Sequence, residues 1–178
     1  MIIAVNSGHC PGLDSGAVGK HHTEAELVRS VGQALCYELE AAGHEPFFIQ
    51  EDELSDITDA ANDAEADIFI SIHCNACNGS ARGTETFFYQ YGDASYRLAQ
   101  RVQSELVNTL GTIDRGVKIQ NDAYPSGLYV INHTDMPAIL TELGFIDNRD
   151  EEELLASRII DIAKAICRGV KAHIAQEA

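Results

Sequence analysis

The feature that most constrains the fold of this chain is the alternation of short apolar runs with longer stretches of helical periodicity. Residues 2–5 (IIAV) form an apolar run that ends in Asn-Ser-Gly, as a buried strand entering a loop would. Residues 23–43 follow, with Leu27, Val31 and Leu35 on one helical face. Strands that alternate with helices predict a three-layer α/β domain, with helices on both faces of a mostly parallel sheet.

The same patterns predict about six strands and four long helices along the chain. Strands are predicted at residues 2–5, 45–50, 67–73, 83–90, 127–132 and 137–145. Helices are predicted at residues 23–43, 56–66, 94–110 and 158–175, with Thr23 as the first N-cap and Gly43 as its end. The last three strands favour a mixed sheet. Ligands of open sheets bind beyond the carboxyl ends of the strands, so polar residues at those ends are the candidates for function.

Length and charge exclude several classes of protein. A chain of 178 residues has the size of one domain, and we expect residues 1–178 to form a single unit. The formal net charge of −16 argues against sequence-independent binding to nucleic acid or to anionic lipid, since both require Lys and Arg to neutralise phosphate. No apolar stretch approaches the ~20 residues needed to span a bilayer, so we expect no membrane insertion. The N-terminal residues carry no visible signal peptide, which predicts synthesis in the cytoplasm.

Four ionisable residues lie where the predicted strands and first helix meet loops. His9 follows the first strand, His73 ends the third, Glu142 follows the apolar residues of the last, and Glu24 opens the first helix. Two imidazoles and a carboxylate suit a catalytic zinc ion, and a second carboxylate could act as general base. Alone, His9 could be an ordinary loop residue and Glu24 a favourable charge in a first helical turn. Glu142 carries a desolvation cost that some interaction must offset.

The segment HCNAC beside His73 raises the alternatives of a zinc knuckle or a redox dithiol. A structural zinc site needs four ligands, and the chain contains no second Cys-x-x-Cys or His-x-x-x-His pair. Redox dithiols usually begin a helix, whereas Cys74 and Cys77 precede the turn signal Asn78-Gly79. Both thiols are therefore interpreted as neighbours of His73 without a role of their own.

These motifs together resemble the zinc-dependent N-acetylmuramoyl-L-alanine amidases of the type 3 catalytic domain, which occur in bacterial cell-wall hydrolases and phage endolysins. The resemblance rests on segments spread over almost the whole chain: VNSGHCPGLDSGAVG with Glu24, ANDAEADIFISIHCNACNGSARGTETFFY, RGVK, LYVINHTDMPAILTELGFIDN and IAKAICRGV. The motif HCPG departs from the further glycines that many members carry after the histidine. Cysteines also replace the usual small residues after His73.

The resemblance implies one zinc ion bound by His9, Glu24 and His73, with Glu142 as the catalytic glutamate. Helical spacing favours Glu24 over Glu26, which is kept as an alternative ligand. The implied substrate is peptidoglycan, and the implied bond is the amide between N-acetylmuramic acid and the L-alanine of the stem peptide. The implied place of action is the cell wall, reached after release or unconventional export. We also expect no separate wall-binding domain in residues 1–178.

The sequence alone does not decide which residues contact the substrate, and it allows two other functions. Asn75 or Asn6 is a candidate for binding substrate or orienting a ligand. A zinc exopeptidase of similar fold would use the same metal ligands and would need a cation for a charged peptide terminus, which Arg82, Arg115 or Lys118 could supply. A catalytically inactive wall-binding module is a further alternative, which the intact ligand set disfavours.

Overall fold

The computed structural model describes residues 1–90, 94–123 and 125–177, with the backbone alone for residues 122 and 123. Its strands are β1 (Ile2–Ser7), β2 (Glu45–Ile49), β3 (Ile68–Asn75), β4 (Thr84–Phe88), β5 (Asp114–Ile119) and β6 (Ala138–Phe145). Its helices are α1 (Glu24–Ala41), α2 (Leu54–Asp63), α3 (Ala94–Leu110), α4 (Gln120–Ala123), α5 (Tyr129–Asn132), α6 (Arg149–Ser157) and α7 (Ile159–Glu177).

The strands form one mixed sheet in the order β2-β1-β3-β6-β4-β5. β1, β2, β3 and β6 run parallel to one another, whereas β4 pairs with β6 in the antiparallel direction and β5 runs parallel to β4. The carboxyl ends of β1, β3 and β6 therefore share one edge with the beginnings of β4 and β5. The predicted mixed, mostly parallel sheet of about six strands is confirmed.

Helices cover both faces of the sheet, and alternate residues of β3 show the division. Ile68, Ile70 and Ile72 face a large core formed with α1, α3 and α7. Phe69 faces a second, smaller core formed with α2 and α5, which also contains Phe87. Burying a large apolar side chain contributes about 1.5–3 kcal/mol, so both faces stabilise the three-layer arrangement.

Within residues 127–132, where a strand was predicted, Tyr129–Asn132 form the short helix α5. A short apolar run has the same pattern in a buried strand and in one turn of helix, so periodicity does not separate the two. The side chains of Val130 and Ile131 reach the smaller core from helix α5. The prediction of a strand here was wrong, and the sixth strand is β5 instead.

Strand β5 and helix α6 were not predicted, because neither has a strong apolar pattern. β5 (DRGVKI) is a half-exposed edge strand in which Gly116 has a φ of +81°. α6 (RDEEELLAS) is rich in acidic residues, and the Asn148 side chain caps it by accepting hydrogen bonds from the backbone N–H groups of Asp150 and Glu151. Both elements depend on tertiary contacts that a single-sequence pattern does not contain.

Within the described part of the chain, none of the helices combines the length and the apolar composition that a bilayer-spanning segment requires.

Candidate metal centre

Three separate elements bring His9, Glu24 and His73 together. The loop after β1 carries His9, the first residue of α1 is Glu24, and His73 lies near the end of β3. One potential ligand atom from each residue lies within 4.8 Å of the others. Glu24 bridges the two rings, with Oε2 3.2 Å from His9 Nε2 and Oε1 3.0 Å from His73 Nδ1. The structure thus assembles the three residues that the sequence analysis selected.

The start of α1 explains why Glu24, rather than Glu26, belongs to the cluster. Thr23 is the N-cap, as predicted, and it forms a capping box with the exposed Glu26. Glu24 is 3% exposed, and its carboxylate accepts hydrogen bonds of 2.9 Å from the backbone N–H groups of Ala17 and Cys74. Both carboxylate oxygens are thereby oriented toward the two histidines.

The backbone at His9 supports a functional role for the loop after β1. His9 has a φ of +60°, a left-handed conformation that is uncommon outside glycine and asparagine and that occurs often at active sites. Its Nδ1 atom lies 2.5 Å from Asp14 Oδ2, which orients the ring so that Nε2 faces Glu24. Asp14 was not among the residues predicted for the site. The signal was a carboxylate five residues after the histidine in HCPGLD, within reach of the ring only if the loop turns back.

Two glycines leave room for the imidazole rings. A Cβ atom at Gly8 would lie 2.2 Å from His73 Cε1, and one at Gly16 would lie 2.4 Å from His9 Cδ2. Gly16 also has a φ of +61°, a conformation that favours glycine. Any side chain at either position would displace a candidate ligand.

The charges in the cluster favour a bound cation. Burial opposes ionisation of the Glu24 carboxyl, but hydrogen bonds from His73 and His9 outweigh burial and lower the pKa of Glu24. The hydrogen bond to Glu24 raises the pKa of His9 to about 9, although burial acts in the opposite direction, and Asp14 adds to the increase. Glu24 therefore stays ionised and attracts positive charge to the space between the rings.

Glu142 lies beside this cluster without belonging to it. It is the cross-strand partner of His73 between β6 and β3, and it is 7% exposed. Burial raises the pKa of Glu142 to about 8, and the negative charges of Glu24 and Glu85 add to the effect. Its Oε2 atom is buried and has no hydrogen-bond partner among the described residues. A buried carboxyl oxygen without a partner is costly to maintain, which indicates that it is kept for a ligand or a reaction.

Asn6 and Asn75, the two candidates for substrate binding, both have partners inside the protein. Asn6 is 1% exposed; its Oδ1 accepts a hydrogen bond of 2.6 Å from Ser71, and its Nδ2 donates to backbone carbonyls. Asn75 Nδ2 donates a 2.9 Å hydrogen bond to Glu85 Oε1. Asn6 therefore holds β1 and β3 together beneath the cluster. A role for either residue in substrate binding stays a prediction.

A cleft of about 310 Å³ opens over the histidines. One wall is mostly apolar and is formed by α2 and α5, and acidic residues stand at the rim. The lining residues are Asn6, Gly8, His9, Asp14, Glu51, Asp52, Leu54, Ile57, His73, Leu128, Tyr129, Val130 and Leu140. The cluster is thus open to a substrate from one side and closed by the sheet on the other.

The cysteines stay outside the cluster. Among the residues that the structure describes, the one group with metal-binding geometry contains His9, Glu24 and His73 and no cysteine. Cys74 is buried on the opposite face of β3, and Cys77 is exposed. The backbone N–H of Cys77 donates to Asp147. The structure therefore offers no support for a zinc knuckle at the Cys-x-x-Cys segment.

A mixed α/β sheet that brings two histidines and a carboxylate together beside a separate buried glutamate is an arrangement that metal-dependent hydrolases use. The chain belongs to the N-acetylmuramoyl-L-alanine amidase family, whose family model matches residues 3–172. Members of this family are peptidoglycan hydrolases, and zinc dependence is a general property of the family. The resemblance inferred from the sequence is confirmed.

Three bacterial and phage relatives illustrate the family. The chain is 37% identical to the uncharacterized protein YqiI of Bacillus subtilis, covering 98% of this chain and 85% of YqiI. It is 34% identical to the N-acetylmuramoyl-L-alanine amidase LytC of B. subtilis, covering 88% of this chain and 32% of LytC. It is 33% identical to the endolysin of Bacillus phage SPP1, covering 95% of this chain and 64% of the endolysin. The chain thus spans less than two thirds of the length of LytC and of the SPP1 endolysin.

Two solved structures share the fold over nearly the whole chain. N-acetylmuramoyl-L-alanine amidase AmiC2 of Nostoc punctiforme superposes with a TM-score of 0.87 at 27% identity, covering 98% of this chain and 97% of AmiC2. The catalytic domain of CwlV from Bacillus (Paenibacillus) polymyxa also gives a TM-score of 0.87 at 27% identity, covering 98% of each chain. The whole sheet and its helices are therefore those of the family.

Proposed function

We propose that this chain is a zinc-dependent peptidoglycan amidase in which His9, Glu24 and His73 bind one zinc ion and Glu142 is the catalytic residue. The observation that carries the proposal is the convergence of the three potential ligands beside the buried, unpartnered oxygen of Glu142. The match of residues 3–172 to the family model supports treating residues 1–178 as one catalytic domain.

The side chains fit a zinc ion by their chemistry and by the space around them. Two imidazole nitrogens and a carboxylate are a common ligand set for catalytic zinc, which leaves a position open for water or substrate. Gly8 and Gly16 supply the room that the rings need, and the His9–Asp14 contact is the kind of hydrogen bond that fixes the tautomer of a ligating histidine.

The proposed reaction breaks the C–N bond between the lactyl carbonyl of N-acetylmuramic acid and the amine of L-alanine. Bound zinc would polarise that carbonyl and lower the pKa of a water molecule toward ~7. In its ionised form, which the positive charge of a bound metal would favour, Glu142 takes a proton from the attacking water and returns it to the nitrogen of the departing alanine. The products are a glycan that carries the lactyl carboxylate and a stem peptide that carries a free N-terminal amine.

The exopeptidase alternative would use Arg82, Arg115 or Lys118 to bind a free peptide terminus, and these partly exposed cations do not by themselves separate it from the amidase. Arg82 Nη2 lies 2.5 Å from Asp150 Oδ2, and Arg115 and Lys118 both contact Glu85. The family favours the amidase. The two reactions also leave different products, because only the amidase frees a complete stem peptide from the glycan.

Product analysis tests the proposed function directly. Purified peptidoglycan is incubated with the protein, with and without a zinc chelator, and the products are identified by mass spectrometry. We expect intact stem peptides with a free N-terminal L-alanine, no release with the chelator, and recovery after zinc is added back. Shortened stem peptides would instead indicate a peptidase. An absence of products from several types of wall would indicate an inactive module.

Asp14→Asn is expected to weaken zinc binding by about 10- to 100-fold, as loss of a partner that orients a ligating histidine usually does. The amide oxygen of Asn can still accept a hydrogen bond from His9 Nδ1–H, but it carries no charge and the amide can turn its NH2 group toward the ring instead, so the ring is held less firmly. Zinc affinity is measured by competition with a chromophoric chelator. Asp52→Asn is the matched control, since it removes the same charge from the cleft rim without touching His9. Equal losses in the two variants would mean that charge, not orientation, is responsible.

A further inference from the structure

A row of polar side chains crosses one face of the sheet, starting at the candidate metal centre. His73 pairs with Glu142 between β3 and β6, and Glu142 pairs with Glu85 between β6 and β4. Lys118 of β5 pairs with Phe87, which lies on the same face of β4 as Glu85 because strand side chains alternate. Cross-strand partners project from the same face, so these side chains form one continuous line across four strands.

The far end of this row is a compact basic cluster built around Glu85. Glu85 is 3% exposed, and its Oε2 accepts hydrogen bonds from Arg115 Nε at 2.8 Å and from Lys118 Nζ. Its Oε1 accepts a hydrogen bond from Asn75. The guanidinium of Arg115 also packs over the Phe145 ring, 4.9 Å from its centroid. These contacts hold both cations in place.

The cluster carries more positive charge than its internal partner neutralises. Two cations share one buried carboxylate, and their side chains remain 34% and 32% exposed. A guanidinium has five N–H donors and an ammonium has three; the bonds to Glu85 use one from each, and Arg115 Nη1 donates a longer bond of 3.5 Å to the backbone carbonyl of Arg82. Two fixed cations with donors to spare can bind a carboxylate, even in a chain of net charge −16.

The distance from the candidate reaction site suits a short piece of peptide. Neighbouring strands lie ~4.8 Å apart, so Glu85 is one strand spacing from Glu142. Lys118 is two spacings away and, as the partner of Phe87, also two residues further along the strand, but its ammonium reaches back to Glu85. An extended peptide advances ~3.5 Å per residue. A group two or three residues beyond the scissile amide therefore reaches the cations if the peptide lies along the row.

We propose that Arg115 and Lys118 form a subsite that binds a carboxylate of the stem peptide and sets the direction in which the substrate crosses the sheet. This inference rests on the proposed function, and it names the feature of the substrate that the chain recognises. Glu85 and Asn75 act as positioning residues that hold the two cations.

The test compares one wall in two chemical forms. Purified peptidoglycan is divided, and the free carboxyl groups of one half are converted to amides with a carbodiimide and ammonia. Release of stem peptides with free N-terminal alanine is measured as an initial rate at low substrate concentration. The wild-type protein is expected to act on the untreated wall about tenfold faster or more, the size of effect that a hydrogen bond between charged groups produces.

Three variants separate recognition from structure. Lys118→Met is expected to lose the preference for the untreated wall, so that its rates on the two walls become equal. Lys118→Arg keeps the charge and is expected to keep the preference. Lys164→Met, which removes a charge from an exposed position on α7, is the matched control and is expected to behave as wild type.

The outcomes distinguish this inference from the proposed function. Equal rates on the two walls for the wild-type protein would overturn the carboxylate subsite and leave the amidase intact. A Lys118→Met variant whose rates fall by the same factor on both walls, and which therefore keeps the preference, would also overturn the subsite. The cluster would then act only by supporting Glu142. No stem-peptide release from either wall by the wild-type protein would overturn the proposed function itself.

Discussion

Replacing Glu142 by Gln is expected to lower kcat on peptidoglycan by about 10²- to 10⁴-fold while zinc remains bound, the range that loss of a general base covers. Gln has nearly the same shape as Glu but takes no proton from water at neutral pH. The metal content should be unaffected, because Glu142 lies outside the group formed by His9, Glu24 and His73. Kinetics and metal analysis of the same purified sample give both readouts. Retained activity would remove Glu142 from its proposed role.

The same substitution has an expected effect on stability with a definite sign. Burial raises the pKa of Glu142 from 4.5 to about 8, so the folded protein binds this proton more tightly than the unfolded chain does. The folded state of the zinc-free protein therefore loses stability as pH rises from about 4.5 to about 8. Gln has no such proton, and zinc-free Glu142→Gln should have a flatter dependence of Tm on pH. A lower Tm at pH 8 for Glu142→Gln than for the wild-type protein would show that the carboxylate stabilises the fold instead.

The candidate site could be predicted from the sequence to the extent that it lies at the ends of strong apolar runs. β1 and β3 are apolar enough to be recognised, so His9 and His73 could be placed at one edge of the sheet. Glu24 was selected because the capping signal at Thr23 and the apolar face of α1 fix its position in the first turn. In each case a local pattern determines the position of the side chain.

The rest of the site depends on tertiary contacts that have no local pattern. Asp14 reaches His9 only because the loop between them turns back, with His9 in a left-handed conformation. The partnership of Glu85 with Arg115 and Lys118 requires β5, an edge strand with little apolar character. Even α5, which forms part of the cleft wall, has a sequence that suits a strand as well as a helix.

Replacing Glu24 by Gln is expected to weaken zinc binding by more than the ~100-fold that loss of an outer partner can cause, and to remove activity with the metal. The carboxylate is the one charged ligand in the proposed set, and it is placed between His9 Nε2 and His73 Nδ1. A neutral amide would supply one oxygen and one N–H group, so one of the two histidines would face a donor instead of an acceptor. Zinc content after dialysis and the rate of stem-peptide release measure the two effects.

Glu26→Gln is the matched control, because the sequence alone left Glu26 as an alternative ligand. Glu26 is exposed, two residues from Glu24, and its role is to complete the capping box with Thr23. Gln can also occupy this position of a capping box, so helix α1 should keep its first turn. Wild-type zinc content in Glu26→Gln, with loss in Glu24→Gln, would assign the carboxylate ligand by function. The reverse result would require the start of α1 to turn by about 200° on binding zinc, since residues two apart in a helix project in nearly opposite directions.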